Sequence, residues 1–230
     1  MQAEVADPTG SAAVGTWRVA VFDLDETLTR HDTFLPFLRG YLRRHPACVF
    51  GLLWLPIRVV RGWLANRRTG IKRAVLVSFA GGQPRQRLLA WAQAFVDDLL
   101  EHGMRPAALD CLREHLAAGD RVILATASLD IYVEPLARRL GIEEVVCSRV
   151  AWTGDDRLAG MNGLNCRDAE KLARVRAVLG DGVEPTEVIM YSDSHADLPL
   201  LSWAGQGVAV SPTRKLAALA EKLGLDHRGW

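Results

Sequence analysis

Three short stretches carry the side chains best suited to chemistry. Asp23-Leu24-Asp25-Glu26-Thr27 crowds three carboxylates into four positions. Thr126-Ala127-Ser128 supplies two hydroxyls, and Asp193-Ser194-His195-Ala196-Asp197 brackets a histidine with two more acids. Crowded carboxylates repel one another and are costly without a positive partner. A hard cation relieves that cost. Magnesium takes oxygen ligands, keeps several waters, and is commonly held by one or two carboxylates plus a substrate phosphate. A carboxylate can also attack phosphorus and form an acyl phosphate. Such a reaction needs an acid for the leaving oxygen and a base for water. It also needs positive charge around the transferring phosphoryl group.

Each role has a candidate. Asp23 suits the nucleophile and Asp25 the general acid/base. Thr126 can donate a hydroxyl to a phosphate oxygen, and Lys171 can supply the cation. Asp193 and Asp197 can complete a metal site. Ser128 has two readings, a second phosphate contact or a helix N-cap. His195 lies between two acids, but magnesium's preference for oxygen leaves it outside the metal set.

These residues need a scaffold that gathers them. Trp17 to Phe22, Arg121 to Ala125 and Glu187 to Tyr191 are apolar runs with β-branched residues, and each runs into one of the polar stretches. They read as buried strands. Val145 to Cys147 and Gly207 to Val210 read as further strands. Helical spacing marks Pro106 to Ala118, Val133 to Leu140 and Asp168 to Leu179, the last two ending at Gly141 and Gly180. Strands alternating with helices predict an α/β fold with a doubly wound parallel sheet. In such sheets ligands bind beyond the carboxyl ends of the strands, where all three polar stretches fall. Arg149 to Gly160 breaks the rhythm and reads as a β-hairpin.

The ordered set resembles the four motifs of the haloacid dehalogenase (HAD) superfamily. Asp23-Leu24-Asp25-Glu26-Thr27 is similar to its first motif, D-x-D-x-T. Ile123 to Ser128 is similar to the second, Lys171 to the third, and Asp193-Ser194-His195-Ala196-Asp197 to the fourth. The resemblance covers roughly Trp17 to Leu223. It implies a Rossmann-like core and a phosphatase with an aspartyl-phosphate intermediate. It also implies Mg2+ held by Asp23, the Asp25 backbone carbonyl, Asp193 and Asp197. The long helical segment after the first motif resembles a C1-type cap. With Thr-Ala-Ser in the second motif, it points to the phosphoserine-phosphatase-like subfamily IB, and within it to the phosphatidylglycerophosphatase C enzymes. Asp32, nine positions after Asp23, stands where phosphoserine phosphatases usually place a glutamate. It is a candidate for contact with substrate polar groups. The shorter acid and the Thr-Ala-Ser motif both depart from the phosphoserine pattern.

The implied organisation is a tail over 1–15, a catalytic core over 16–29 and 105–230, and a helical cap over 30–104. In the cap, Arg39, Arg43, Arg44 and His45 precede an apolar run from Ala47 to Ile57. Arg58, Arg61, Arg67, Arg68, Lys72 and Arg73 follow, with Trp54 and Trp63 interspersed. The uncharged run is shorter than the roughly 20 residues that span a bilayer. Basic residues and tryptophans around a short apolar helix suit a segment lying in the headgroup region. The alternative is a cap whose apolar helices pack only on each other. The leading expectation is a phosphorylated lipid headgroup as substrate, with membrane surface contact through 39–73. A soluble metabolite such as phosphoserine or histidinol phosphate is the runner-up. An inactive membrane-recruitment module is a third possibility, opposed by the intact acids and lysine.

The chain has 230 residues, 24% of them charged, with a net charge of +1. That balance lacks the basic excess of a nucleic-acid binder. The four cysteines show no C-x-x-C pair, so neither a disulfide framework nor a zinc site is expected. Reduced thiols and a polar N-terminus without a secretory pattern predict a cytoplasmic protein, peripheral on the inner face of the cell membrane.

Overall fold

The structure is a computed structural model and describes residues 18–230. The tail expected over 1–15 lies outside the described residues. Seven strands form one sheet in the order β4-β3-β2-β1-β5-β6-β7. β1 (Val19–Phe22) is central and pairs in parallel with β2 (Arg121–Leu129) and β5 (Val188–Ser192). β3 (Glu144–Trp152) extends one side in parallel, and β6 (Gln206–Val210) and β7 (Asp226–Arg228) extend the other. Only β4 (Leu158–Asn162) runs antiparallel, folding back on β3 as the expected hairpin. The chain winds outward from β1 in one direction, then returns and winds outward in the other. The reversal falls between β1 and β5, the switch point where open α/β sheets open a crevice.

Side-chain alternation along β1 builds both faces of the core. Ala20 and Phe22 join one apolar cluster, Val19 and Val21 the other. On the first face lie α5 (Pro106–Ala118) and α6 (Asp130–Leu140), with Leu112, Tyr132 and Leu136 fully or almost fully buried. On the second lie α7 (Ala169–Leu179), α8 (Leu198–Trp203) and α9 (Arg214–Leu223), through Val175, Leu200, Leu201 and Leu216. Strands covered on both faces read as continuous apolar runs, which is why β1, β2 and β5 were legible.

Four helices lie between β1 and α5: α1 (Phe34–Arg44), α2 (Leu55–Ala65), α3 (Arg67–Ala80) and α4 (Arg85–Asp98). A bridge between Thr29 and Met104 closes the base of this insert. Tyr41, Phe37, Trp91 and Phe95 pack α1 on α4, and Phe37 and Phe95 reach Tyr132 on α6. The segment Pro46–Ala65 behaves differently. It is a tight 3-10 stretch followed by α2, long and apolar enough by length and composition to cross a membrane, and none of it is buried. This qualifies the expectation drawn from the uncharged run alone. Arg58 does not interrupt the apolar surface as its position suggests. Its guanidinium turns back to the Gly51 carbonyl and the Ser78 hydroxyl, both at 3.3 Å.

Candidate active site

The parallel pairing of β1 and β5 continues one step past the strands, where the Asp23 N–H donates to the Tyr191 carbonyl at 3.0 Å. This delivers Asp23 and Asp193 side by side at the switch point. The chain then doubles back through Leu24 to Thr29. Glu26 adopts φ 59°, a left-handed conformation that a side chain disfavours. Thr29 holds the loop by donating its N–H to the Leu24 carbonyl and accepting the Glu26 N–H on its hydroxyl.

Asp23 and Lys171 form a buried ion pair, Nζ to Oδ1 2.8 Å. Lys171 also bonds Asp197, at 2.7 and 2.8 Å to its two oxygens. Burial works against the lysine charge, but Asp197 and Asp23 outweigh it and hold the lysine above its usual range. Burial pushes the Asp23 carboxyl up while Lys171 opposes the shift. Asp197 is further held by the Ser192 hydroxyl at 2.7 Å. Its carboxylate therefore engages Lys171 with both oxygens and Ser192 with one.

Asp193 is pushed up to about 7 by burial, with the Glu26 and Asp197 charges adding to the effect. The Thr27 hydroxyl donates to Asp193 Oδ1 at 3.3 Å and accepts the Asp193 N–H at 3.0 Å. Among the described residues, no three His, Cys, Asp or Glu side chains close into a metal-holding group. Asp23 and Asp193 nevertheless line one cleft together, and no hydrogen bond among the described residues engages the second oxygen of either. Lys171 pairs with Asp23 and Asp197, and Asp193 has no ion-pair partner among the described residues. An oxygen-only donor set with excess negative charge fits a hard cation.

Asp25 lies in a hydrogen-bond cradle. Its Oδ1 accepts the Thr33 N–H at 2.7 Å and the Thr33 hydroxyl at 2.6 Å, and its Oδ2 accepts the Ser128 hydroxyl at 2.6 Å. With Asp25 ionised, both hydroxyl protons are spent on it, and Tyr132 is the donor in its 3.1 Å contact with Thr33 Oγ1. Ser128 thus holds Asp25, and α6 begins after Leu129 without a side-chain cap, so the N-cap reading of Ser128 is not realised. Thr126 is fully buried. Its hydroxyl oxygen accepts the Ser128 N–H at 3.0 Å, which fixes the turn out of β2. Unlike Ala127 and Ser128, it does not line the cleft.

The cleft encloses about 630 Å³. Asp32 is on its wall and accepts the Leu35 N–H from the first turn of α1 at 3.2 Å. Sequence reasoning missed Thr33, Tyr132 and Ser192, and it set Lys72 among the basic residues flanking the apolar run, whereas Lys72 lines the cleft. Their roles arise from contacts across elements, which residue spacing does not encode.

Residues 20–202 match the family model described as haloacid dehalogenase-like hydrolase. Protein CicA of Caulobacter vibrioides is 33% identical over 189 residues, covering 82% of this chain and 83% of that protein. Phosphoserine phosphatase SerB1 of Mycobacterium tuberculosis is 28% identical, covering 91% of this chain and 70% of that one. A crystal structure of a protein of unknown function from Bordetella pertussis superposes with a TM-score of 0.72 at 25% identity, covering 93% and 98% of the two chains. The chain belongs to the haloacid dehalogenase-like hydrolase family. It is a phosphatase of the phosphoserine-phosphatase-like kind.

Proposed function

We propose that the enzyme is a magnesium-dependent phosphomonoesterase that works through Asp23. The Asp23 carboxylate attacks phosphorus, the bond to the leaving oxygen breaks, and Asp25, protonated at this stage, gives that oxygen its proton. Asp25 then takes a proton from water as the water attacks the aspartyl phosphate, releasing phosphate and restoring Asp23. Lys171 offsets the negative charge that would otherwise oppose the approach of a phosphate dianion. Mg2+, held by Asp23, Asp193 and the Asp25 carbonyl, would supply further charge neutralisation at the phosphoryl oxygens. Thr126 orders the β2 turn by accepting the Ser128 N–H on its hydroxyl oxygen and keeps its hydroxyl proton for a phosphate oxygen.

The substrate we favour is the phosphorylated headgroup of an anionic membrane lipid, such as phosphatidylglycerophosphate. One observation carries this: the apolar face of Pro46–Ala65 is open to solvent, with Leu53 74%, Leu64 71% and Phe50 69% exposed. Trp54 and Trp63 are exposed on the same segment, and Arg61, Arg67 and Arg68 flank them. That composition suits an interfacial helix on anionic lipid. The supporting helix is α3, whose Arg68, Ile71, Lys72 and Val75 line the cleft. A soluble amino-acid phosphate is the second reading, favoured by the similarity to SerB1 and by Asp32 on the cleft wall. Vesicle co-sedimentation separates the two. Leu53→Glu with Leu64→Glu should release the protein from anionic vesicles and lower turnover of lipid phosphate while sparing a soluble aryl phosphate. Unchanged sedimentation and full activity on phosphoserine alone would decide for the soluble substrate.

A further inference from the structure

The positive charges of the cleft are unequally occupied. Lys171 is committed to Asp23 and Asp197. Arg68 pairs with Asp168, and Arg167 lies 4.0 Å from the same carboxylate. Lys72 is different. It projects from α3 into the cleft lining and is half-buried, and among the described residues no carboxylate lies within ion-pair distance of its Nζ. Its ammonium donates to the Ala127 carbonyl and sits 4.6 Å from the centre of the Phe34 ring. An ammonium carries three donors, so the Ala127 bond leaves two. Burial depresses it to about 8, against the pull of the more distant Asp25 and Asp32 charges. A desolvated cation without a salt-bridge partner is costly, and a bound anion relieves the cost.

The space beside Lys72 exceeds what a phosphoryl group needs. Phe34, Leu35, Ile71 and Val75 give the same cleft an apolar wall. Lys72 bonds the carbonyl of Ala127, and the next residue, Ser128, bonds Asp25, so the lysine lies beside the candidate acid for the leaving oxygen. We propose that Lys72 forms a second anion subsite, and that the preferred substrate is a phosphomonoester whose leaving alcohol carries another negative group. This rests on the phosphatase reading of Asp23 and Asp25 and adds the substrate's second charge. A phosphodiester in a lipid headgroup and the carboxylate of an amino-acid phosphate both satisfy it. Asp32 on the same wall would receive a hydroxyl in the first case and an ammonium in the second.

The test compares steady-state kinetics on four soluble esters with magnesium present. Two bear a second anion: deacylated phosphatidylglycerophosphate and phosphoserine. Two do not: glycerol 3-phosphate and p-nitrophenyl phosphate. Wild type should favour at least one anion-bearing ester in kcat/KM, and which one identifies the source of the anion. Lys72→Met should shrink that preference roughly tenfold to a hundredfold, mainly through KM, the size of a lost charged hydrogen bond. Lys72→Arg should retain most of it. In wild type the preference should also fade as pH rises through about 8, where Lys72 loses its charge. Asp23, Asp25, Glu26, Arg68, Arg167, Lys171, Asp193, His195 and Asp197 face the same cleft and act on every ester, so the ratio of two esters cancels them. Asp32 meets the leaving group, and a ratio that still fades with pH in Lys72→Met would assign the fading to it and overturn the Lys72 subsite. A wild-type enzyme indifferent to the second anion overturns the subsite. So does a Lys72→Met variant that slows all four esters equally. No turnover of any ester by wild type would instead defeat the phosphatase reading.

Discussion

Thr33→Val probes the cradle that holds Asp25. The substitution keeps the shape and the backbone N–H but removes the hydroxyl. Asp25 Oδ1 then loses its 2.6 Å partner and keeps only the 2.7 Å backbone bond, while Ser128 still holds Oδ2. A hydrogen bond to a charged group contributes about 1.5–3 kcal/mol. If that restraint fixes the acid at the leaving oxygen, kcat should fall roughly tenfold to a hundredfold at about 1.4 kcal/mol per decade. The fall should be smaller than for Asp25→Asn, which removes the acid itself and costs on the order of a hundredfold to ten-thousandfold. Tyr132 is buried and donates to Thr33, so its hydroxyl is stranded at a further cost of about 1–3 kcal/mol in stability. Thr33→Ser restores both bonds and should return kcat close to wild type. The assay is turnover of p-nitrophenyl phosphate at saturating magnesium, with urea unfolding run alongside. A Thr33→Val enzyme with wild-type kcat, beside an inactive Asp25→Asn enzyme, would refute the cradle. A change confined to KM would do the same.

Two further outcomes follow from packing and charge. Burial raises the Asp130 carboxyl from 3.8 to about 6, so folding penalises its ionised form and that share of stability is lost as pH rises from about 4 to 6. Asp130→Asn should remove this loss and be more stable at pH 7.5 by about 1–3 kcal/mol at most, reduced by weaker contact with the Val150 N–H. Thermal melts from pH 4 to pH 8 check it, and an Asn variant less stable at pH 7.5 would contradict it. At Gly62 an added Cβ would sit 2.4 Å from the Gly70 carbonyl, which seats α2 on α3. Gly62→Val should lower stability by about 1–3 kcal/mol, while Gly154→Ala, with nothing within 4 Å, should not; chemical denaturation reads both.

The strands that carry the site were legible because each is an apolar run ending in polar residues. β2 and β3 extend further than their apolar cores because their pairing resumes at Leu129 and Ser148 past an irregularity after Ala125, and Arg149 to Trp152 pair with β4. β7, three polar residues at an edge, carries no such signal. Helix ends at Gly141 and Gly180 were readable from the glycines. The acids and Lys171 were found by spacing and order. What each one touches was not, because Ser128 meets Asp25 and Lys171 meets Asp197 only after β1, β2 and β5 align. The exposed face of α2 was half legible. Its composition showed, but the inward turn of Arg58 required the neighbouring α3.

The central claim is covalent chemistry at Asp23, and trapping the intermediate tests it most directly. Wild type mixed rapidly with a phosphomonoester and magnesium, quenched in acid and digested, should yield one phosphorylated peptide containing Asp23. Hydroxylamine should discharge the label, and Asp23→Asn should abolish both label and turnover. A label on another residue, or an Asp23→Asn enzyme that still turns over substrate, would contradict the account.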